Sequence, residues 1–199
     1  MTRIKTPRTT AGRAWLLWTT SFLALPAGGY LGSMIGGRVD NPLSAVIGGA
    51  VAGLIIGAVQ VLASSHRLRL RTWIPATVLG MSAGLALGAA AVDYRTTLTD
   101  LALMGAVNGL ILGMAQAFAL PTGLGRRRWI WAGAMPALWS LGWTVTTLMQ
   151  VSVDRQFIVF GASGAVLITG IAGILLNYLI PVPPATQPAI APITAKASS

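Results

Sequence analysis

Few side chains in this chain could do acid, base or nucleophilic chemistry. There are four aspartates, no glutamate, a single histidine (His66) and no cysteine. Lack of cysteine removes disulfides and thiolate metal sites together. Gly161-Ala162-Ser163-Gly164 has a spacing that can present a nucleophilic serine, but that chemistry needs a base to take the hydroxyl proton. His66 is the only candidate, and it falls in a predicted loop on the opposite side of the membrane from Ser163. The hydrolase reading therefore fails, and Ser163 reads as a small packing residue. The sequence contains no HExxH, no phosphate-binding loop and no carboxylate pair at depth, so no enzyme activity, metal or cofactor is expected.

The remaining polar groups of interest are amides inside apolar runs, Gln60, Asn108 and Gln116, and they direct attention to the elements that carry them. Of the 199 residues, 54% are hydrophobic and 9% charged, against about 25% charged in an ordinary soluble domain. That balance excludes a soluble globular enzyme and a disordered chain. The fold class expected is an all-α membrane protein. Six apolar segments, at about 14–36, 43–63, 73–92, 98–120, 129–150 and 157–180, each approach the ~20 residues needed to cross the hydrocarbon as a helix. They are too long for barrel strands and show no alternation.

The net charge of +10 looks at first like a nucleic-acid signal. Its distribution says otherwise, because the basic residues sit in short clusters between apolar runs rather than on one wet face. Eleven of the 14 Lys and Arg fall on one side: Arg3, Lys5, Arg8, Arg13, Arg67, Arg69, Arg71, Arg126, Arg127, Arg128 and Lys196. Arg38, Arg95 and Arg155 fall on the other, with all four aspartates. The positive-inside rule then makes both termini cytoplasmic. A cleaved signal peptide is rejected because the first apolar run continues past Ala27 to Ile35.

The chain repeats itself. Residues 49–60 (GAVAGLIIGAVQ) and 105–116 (GAVNGLILGMAQ) align at an offset of 56, with glycines and glutamine coincident. A weaker third copy begins at Gly161, where Thr169 and Ala172 replace the Gly and Gln. Arg-x-Trp precedes each odd segment (Arg13/Trp15, Arg71/Trp73, Arg127/Trp129), and Val-Asp marks each outer loop (Val39-Asp40, Val92-Asp93, Val153-Asp154). The reading is three tandem hairpins over about 13–63, 71–120 and 127–180. These are parallel repeats, pseudo-three-fold about an axis near the membrane normal. A basic disordered segment (1–12) and a Pro/Ala-rich disordered tail (181–199) flank the 13–180 domain.

In these GAxxGxxxGxxQ hairpins preceded by Arg-x-Trp, residues 13–180 resemble a group of small bacterial polytopic membrane proteins with no assigned activity. The resemblance implies a six-helix membrane domain in a bacterial inner membrane and supplies no catalytic or binding residue.

Glycines at spacings of four, Gly49/Gly53/Gly57 and Gly105/Gly109/Gly113, with Gly161 and Ala165 in the third copy, read as stripes that let helix backbones approach. Gln60, Asn108 and Gln116 read as interhelical hydrogen-bonding groups, with a solute path as the alternative. Arg13, Trp15, Arg71, Trp73, Arg127 and Trp129 read as interfacial anchors meeting anionic headgroups. The outer aspartates read as loop-capping ion pairs with nearby arginines, and Asp100 as the cap of the fourth helix. The partners expected are the bilayer and a membrane-protein partner or second copy, with no nucleic acid. The function expected is a non-catalytic accessory, assembly or scaffold component. A channel for a small solute along the repeat axis is the alternative, and lipid handling a third.

Overall fold

The computed structural model describes residues 10–151 and 159–182, and every regular element among them is helical. Helices α1 (Ala11–Thr20) and α2 (Ala24–Gly36) form one rod interrupted by a 3-10 turn at Ser21–Leu23. The interruption has a local cause. Pro26 cannot donate to the Phe22 carbonyl four residues back, and its ring crowds that position. Thr19 and Thr20 also turn their hydroxyls onto the Trp15 and Leu17 carbonyls (2.9 and 2.7 Å). The first expected span is thus broken rather than continuous, and its helix starts at Ala11, inside the stretch expected to be disordered.

Four further long helices and a shorter last one follow: α3 (Pro42–Ala63), α4 (Leu70–Ala91), α5 (Leu98–Ala119), α6 (Arg128–Leu148) and α7 (Ala162–Leu179). Asn41 caps α3 by accepting the Ser44 N–H at 3.0 Å, with Pro42 in the first turn where its missing N–H costs nothing. Helix α5 is capped by Thr97, not by Asp100 as the sequence reading held. Thr97 Oγ1 accepts the Asp100 N–H while donating to Asp100 Oδ2 at 2.7 Å, a reciprocal box. Helices α3, α4, α5 and α7 are long and apolar enough to cross a membrane, consistent with a multi-pass membrane protein. The third copy's Val153-Asp154 and Arg155, the residues before Thr10 and the Pro-rich tail from Pro183 lie outside the described residues.

Each helix packs against the next, α2 on α3 through to α6 on α7, and α7 closes back on α1. The result is a closed ring. Neighbours run antiparallel: Gly49, Gly53 and Gly57 of α3 meet Met81, Thr77 and Ile74 of α4 in reverse order. One end of the ring therefore gathers Arg13, His66, Arg67, Arg69, Arg71 and Arg126 to Arg128. The other gathers Arg38, Asp40, Asp93, Arg95 and Asp100. The turn at the acidic end after α4 sets Asp93 and Tyr94 in the left-handed region (φ 53° and 57°), a conformation Asp tolerates better than most residues. Arg95 pairs with Asp100 (3.3 Å) rather than with Asp93, so the expected neighbouring ion pair is displaced.

Apolar side chains face outward all around: Leu54, Leu79, Leu110 and Ile174 are each about half exposed or more. Such a continuous apolar exterior is tolerable only against lipid or protein.

Candidate functional site: a polar knot inside the helix ring

The interior of the ring is built from tryptophan and aliphatic side chains. Trp18 on α1, Trp73 on α4 and Trp131 on α6 are all buried, and Trp131 meets the other two edge-to-face at 6.2 and 5.9 Å. Trp139 and Trp143 stack edge-on to Phe160 nearer the acidic end. The axial cavity between Trp18, Ile56, Leu112, Trp131 and Ile168 is about 20 Å³, room for roughly one water molecule.

The amides of the repeat sit at this plug. Gln60 Oε1 accepts the Trp73 indole N–H at 2.9 Å. Gln116 Oε1 accepts the Trp131 indole N–H at 3.0 Å. The two pairs are joined, because Gln116 Nε2 donates to Thr77 Oγ1 (3.1 Å) and reaches Gln60 Oε1 at 3.5 Å. Thr77 Oγ1 in turn donates to the Trp73 carbonyl at 2.8 Å, so the knot is anchored on the α4 backbone. Inside a low-dielectric core such a network strengthens each bond, and each member becomes costly to remove alone.

The third place in this pattern is different. Residue 172, one repeat offset beyond Gln116, is Ala172, and it lines the same cavity as Trp18. The buried Trp18 Nε1 has no hydrogen-bond partner among the described residues. No glutamine stands beside this third indole, and its donor is unmatched among the described residues. Asn108 is also fully buried with neither amide atom bonded among the described residues. It faces Gly84 at the α4–α5 contact and does not line the axial cavity with Gln60 and Gln116.

The Arg-x-Trp sites diverge. Trp73 is not an interfacial anchor: it has no exposed surface and is committed to Gln60. Trp15 is half-buried and donates to the Gly170 carbonyl at 2.8 Å, holding α1 to α7. Only Trp129 stands outward, 45% exposed, edge-on to Phe118 at 5.2 Å. Trp131, two residues on, occupies the inward place that Trp73 holds on α4. Arg13 and Arg71 are exposed, and Arg127 reaches the Tyr178 carbonyl (3.4 Å) with its guanidinium 5.0 Å from the Tyr178 ring centre.

Gly49, Gly53, Gly57, Gly105, Gly109 and Gly113 each lie against the backbone of a neighbouring helix. A methyl group built on Gly109 would lie 2.4 Å from the Met135 carbonyl oxygen, and one on Gly49 2.7 Å from that of Met81. Gly105 and Gly113 meet α6, and Gly53 and Gly57 meet α4. Gly161 precedes α7 and donates its N–H to Thr146 Oγ1 at 3.1 Å, and Ala165 is fully buried. A second stripe, Gly80/Gly84/Gly88 on α4, meets α5 in the same way. Its spacing of four was visible in the sequence, but it lies outside the repeated motif and was missed.

A second set of contacts escaped the sequence entirely. At the basic end Arg67 donates from Nε to the Ser64 carbonyl (2.8 Å), and from Nη1 to Asn177 Oδ1 and the Ile180 carbonyl. Asn177 Nδ2 continues to the Ala11 carbonyl at 3.0 Å. One arginine thereby clasps the α3–α4 turn, the end of α7 and the start of α1. Burial holds its pKa below the ordinary arginine value. Ser163 lies in the first turn of α7 at the acidic end and His66 in the turn at the basic end, so the structure holds them at opposite ends of the ring.

Neither the sequence nor the fold matches a protein family model, a curated protein or a solved structure.

Proposed function

We propose that this chain is a six-span protein of a bacterial inner membrane. In this reading it is built as three tandem parallel hairpins with cytoplasmic termini and serves as a non-catalytic accessory, assembly or scaffold component. The observation that carries this reading is the filled axis. Three tryptophans and their aliphatic neighbours close the centre of the ring, and the amides there bond to indoles and to one another. A conduit would need those polar groups turned toward a continuous wet path, and a coupled transporter would need an ionisable group at depth. A space for one water molecule supplies neither.

The pseudo-three-fold arrangement is supported by the paired Gln60–Trp73 and Gln116–Trp131 contacts and by the ring order of the helices. Helix α6 and the α1–α2 rod complete the six spans in this reading, their length matching the four more apolar helices. The excess of described arginines at one end, seven against two at the other, supports the cytoplasmic placement of that end.

Two measurements test the proposal. Affinity purification in mild detergent is expected to recover a stoichiometric membrane-protein partner. Purified protein in liposomes is expected to carry no flux of ions or small polar solutes above protein-free vesicles. A reproducible flux that the bulkier Ala172→Phe variant lowers would replace the scaffold reading with the conduit.

A further inference from the structure

We infer that the groove between the start of α4 and the end of α5 is a binding site for one anionic phospholipid, its phosphate on Arg69 and its acyl chain on Phe118. The inference rests on the membrane orientation proposed above. The groove encloses about 350 Å³ at the basic end of the ring, lined by Arg69, Thr72, Phe118, Pro121, Thr122 and Gly123. That volume suits a phosphodiester headgroup, and the wall chemistry divides as a phospholipid does.

On the polar side, the Arg69 guanidinium has no hydrogen-bond or ion-pair partner among the described residues, and no acidic residue lines the groove. The Thr72 hydroxyl lies at the mouth, bonded at 3.2 Å to the Arg69 carbonyl and more loosely, at 3.4 Å, to that of Ala119. The Thr72 proton is thus committed to backbone, and it is the Arg69 guanidinium that offers charge-assisted donors to phosphate oxygens. On the apolar side Phe118 is 68% exposed and continues into Trp129, an aromatic pair at the depth where a lipid glycerol region meets its chains. The rim is held in shape from behind, because Arg128 donates to the Thr122 and Gly125 carbonyls at 3.3 and 3.0 Å. Charge complementarity decides the occupant: a site with a free arginine and an aromatic ramp, in contact with the bilayer, fits an anionic lipid better than a zwitterionic one.

Trp73 has turned inward to Gln60, and the interface beside the second hairpin is left to Phe118 and Trp129.

The test is native mass spectrometry of the full chain from nanodiscs of phosphatidylglycerol and phosphatidylcholine, equal in mole fraction. Arg69→Ala and Arg71→Ala are compared with the unmodified chain, since Arg71 is also exposed, two residues away and not part of the groove. The expected result is one strongly retained phosphatidylglycerol, with Arg69→Ala lowering its occupancy at least five-fold and Arg71→Ala less than two-fold. Equal losses in both variants would overturn the site in favour of diffuse attraction between basic loops and headgroups. Equal retention of the two lipids would overturn it as well. Labelling of a cysteine introduced at Gly123 from each side of the membrane reads orientation separately, so an inverted topology is told apart from an empty groove.

Discussion

Replacing Gly109 with alanine probes one of the tight seams of the ring. The added methyl would lie 2.4 Å from the Met135 carbonyl oxygen and 2.8 Å from both the Met135 carbonyl carbon and Trp139 Cβ. Ordinary contact begins near 3.4 Å, so α6 must retreat by about 1 Å, and the obstacle is backbone that no rotamer change can move. Overpacking of this kind costs about 1–3 kcal/mol. Alanine's better helix propensity returns up to about 1 kcal/mol. Because the obstacle is backbone, the upper part of that cost applies, and the net expectation is a loss of about 1–2 kcal/mol. Gly133 on α6 is the matched control, because nothing lies within 4 Å of its added methyl, and Gly133→Ala should be neutral or slightly stabilising. The assay is reversible unfolding of both variants in mixed micelles by titration with a denaturing detergent, followed by tryptophan emission. A Gly109→Ala protein as stable as the unmodified chain would refute the packing argument. So would equal destabilisation by Gly133→Ala, since the ranking by contact distance would then be empty.

Three further outcomes follow from the knot and the clasp. Gln116→Leu removes the acceptor of Trp131 and the donor to Thr77 (3.0 and 3.1 Å), and should cost about 1–3 kcal/mol and shift the indole emission. Ala172→Gln should supply an acceptor beside Trp18 and slow exchange of one more indole N–H by NMR, while the bulk added to a cavity of about 20 Å³ offsets the ~1 kcal/mol of the new bond. Unchanged indole exchange there would mean that residue 172 does not face the indole edge. Arg67→Ala and Asn177→Ala should each speed amide exchange at the start of α1. The double variant should fall short of the sum, because both act through one chain of bonds to Ala11.

Much of the architecture was legible because lipid makes the coding simple: a span must be apolar for its full length, and its loops carry the charge. The helix positions, the glycine stripes of α3 and α5 and the excess of arginines at one end all follow from that. The break between α1 and α2 was marked by Pro26, but a proline near a helix start is common enough that its effect depends on the hydroxyls of Thr19 and Thr20 as well. The site was harder. Arg-x-Trp at three equivalent positions gave no sign that Trp73 turns inward, Trp129 outward and Trp15 sideways onto α7, since rotation about a helix axis is set by neighbours. Trp131 and Thr77 became partners of Gln116 only through that rotation. The Arg67 clasp joins residues more than a hundred positions apart and has no local signature.

The closure of α7 on α1 has a consequence for biogenesis. Among the helices of the ring α1 leaves the ribosome before the others, and its Trp15 and Trp18 flank is covered largely by α7, the ring helix made after all the rest. Every intermediate in synthesis is therefore an open arc with an unsealed edge, and that edge is where an insertion chaperone or a wrong neighbour would engage. Joining Trp15 to the Gly170 carbonyl ends that exposure, so the ring is completed by one late event, and any truncation that removes α7 should leave the arc permanently available to quality control.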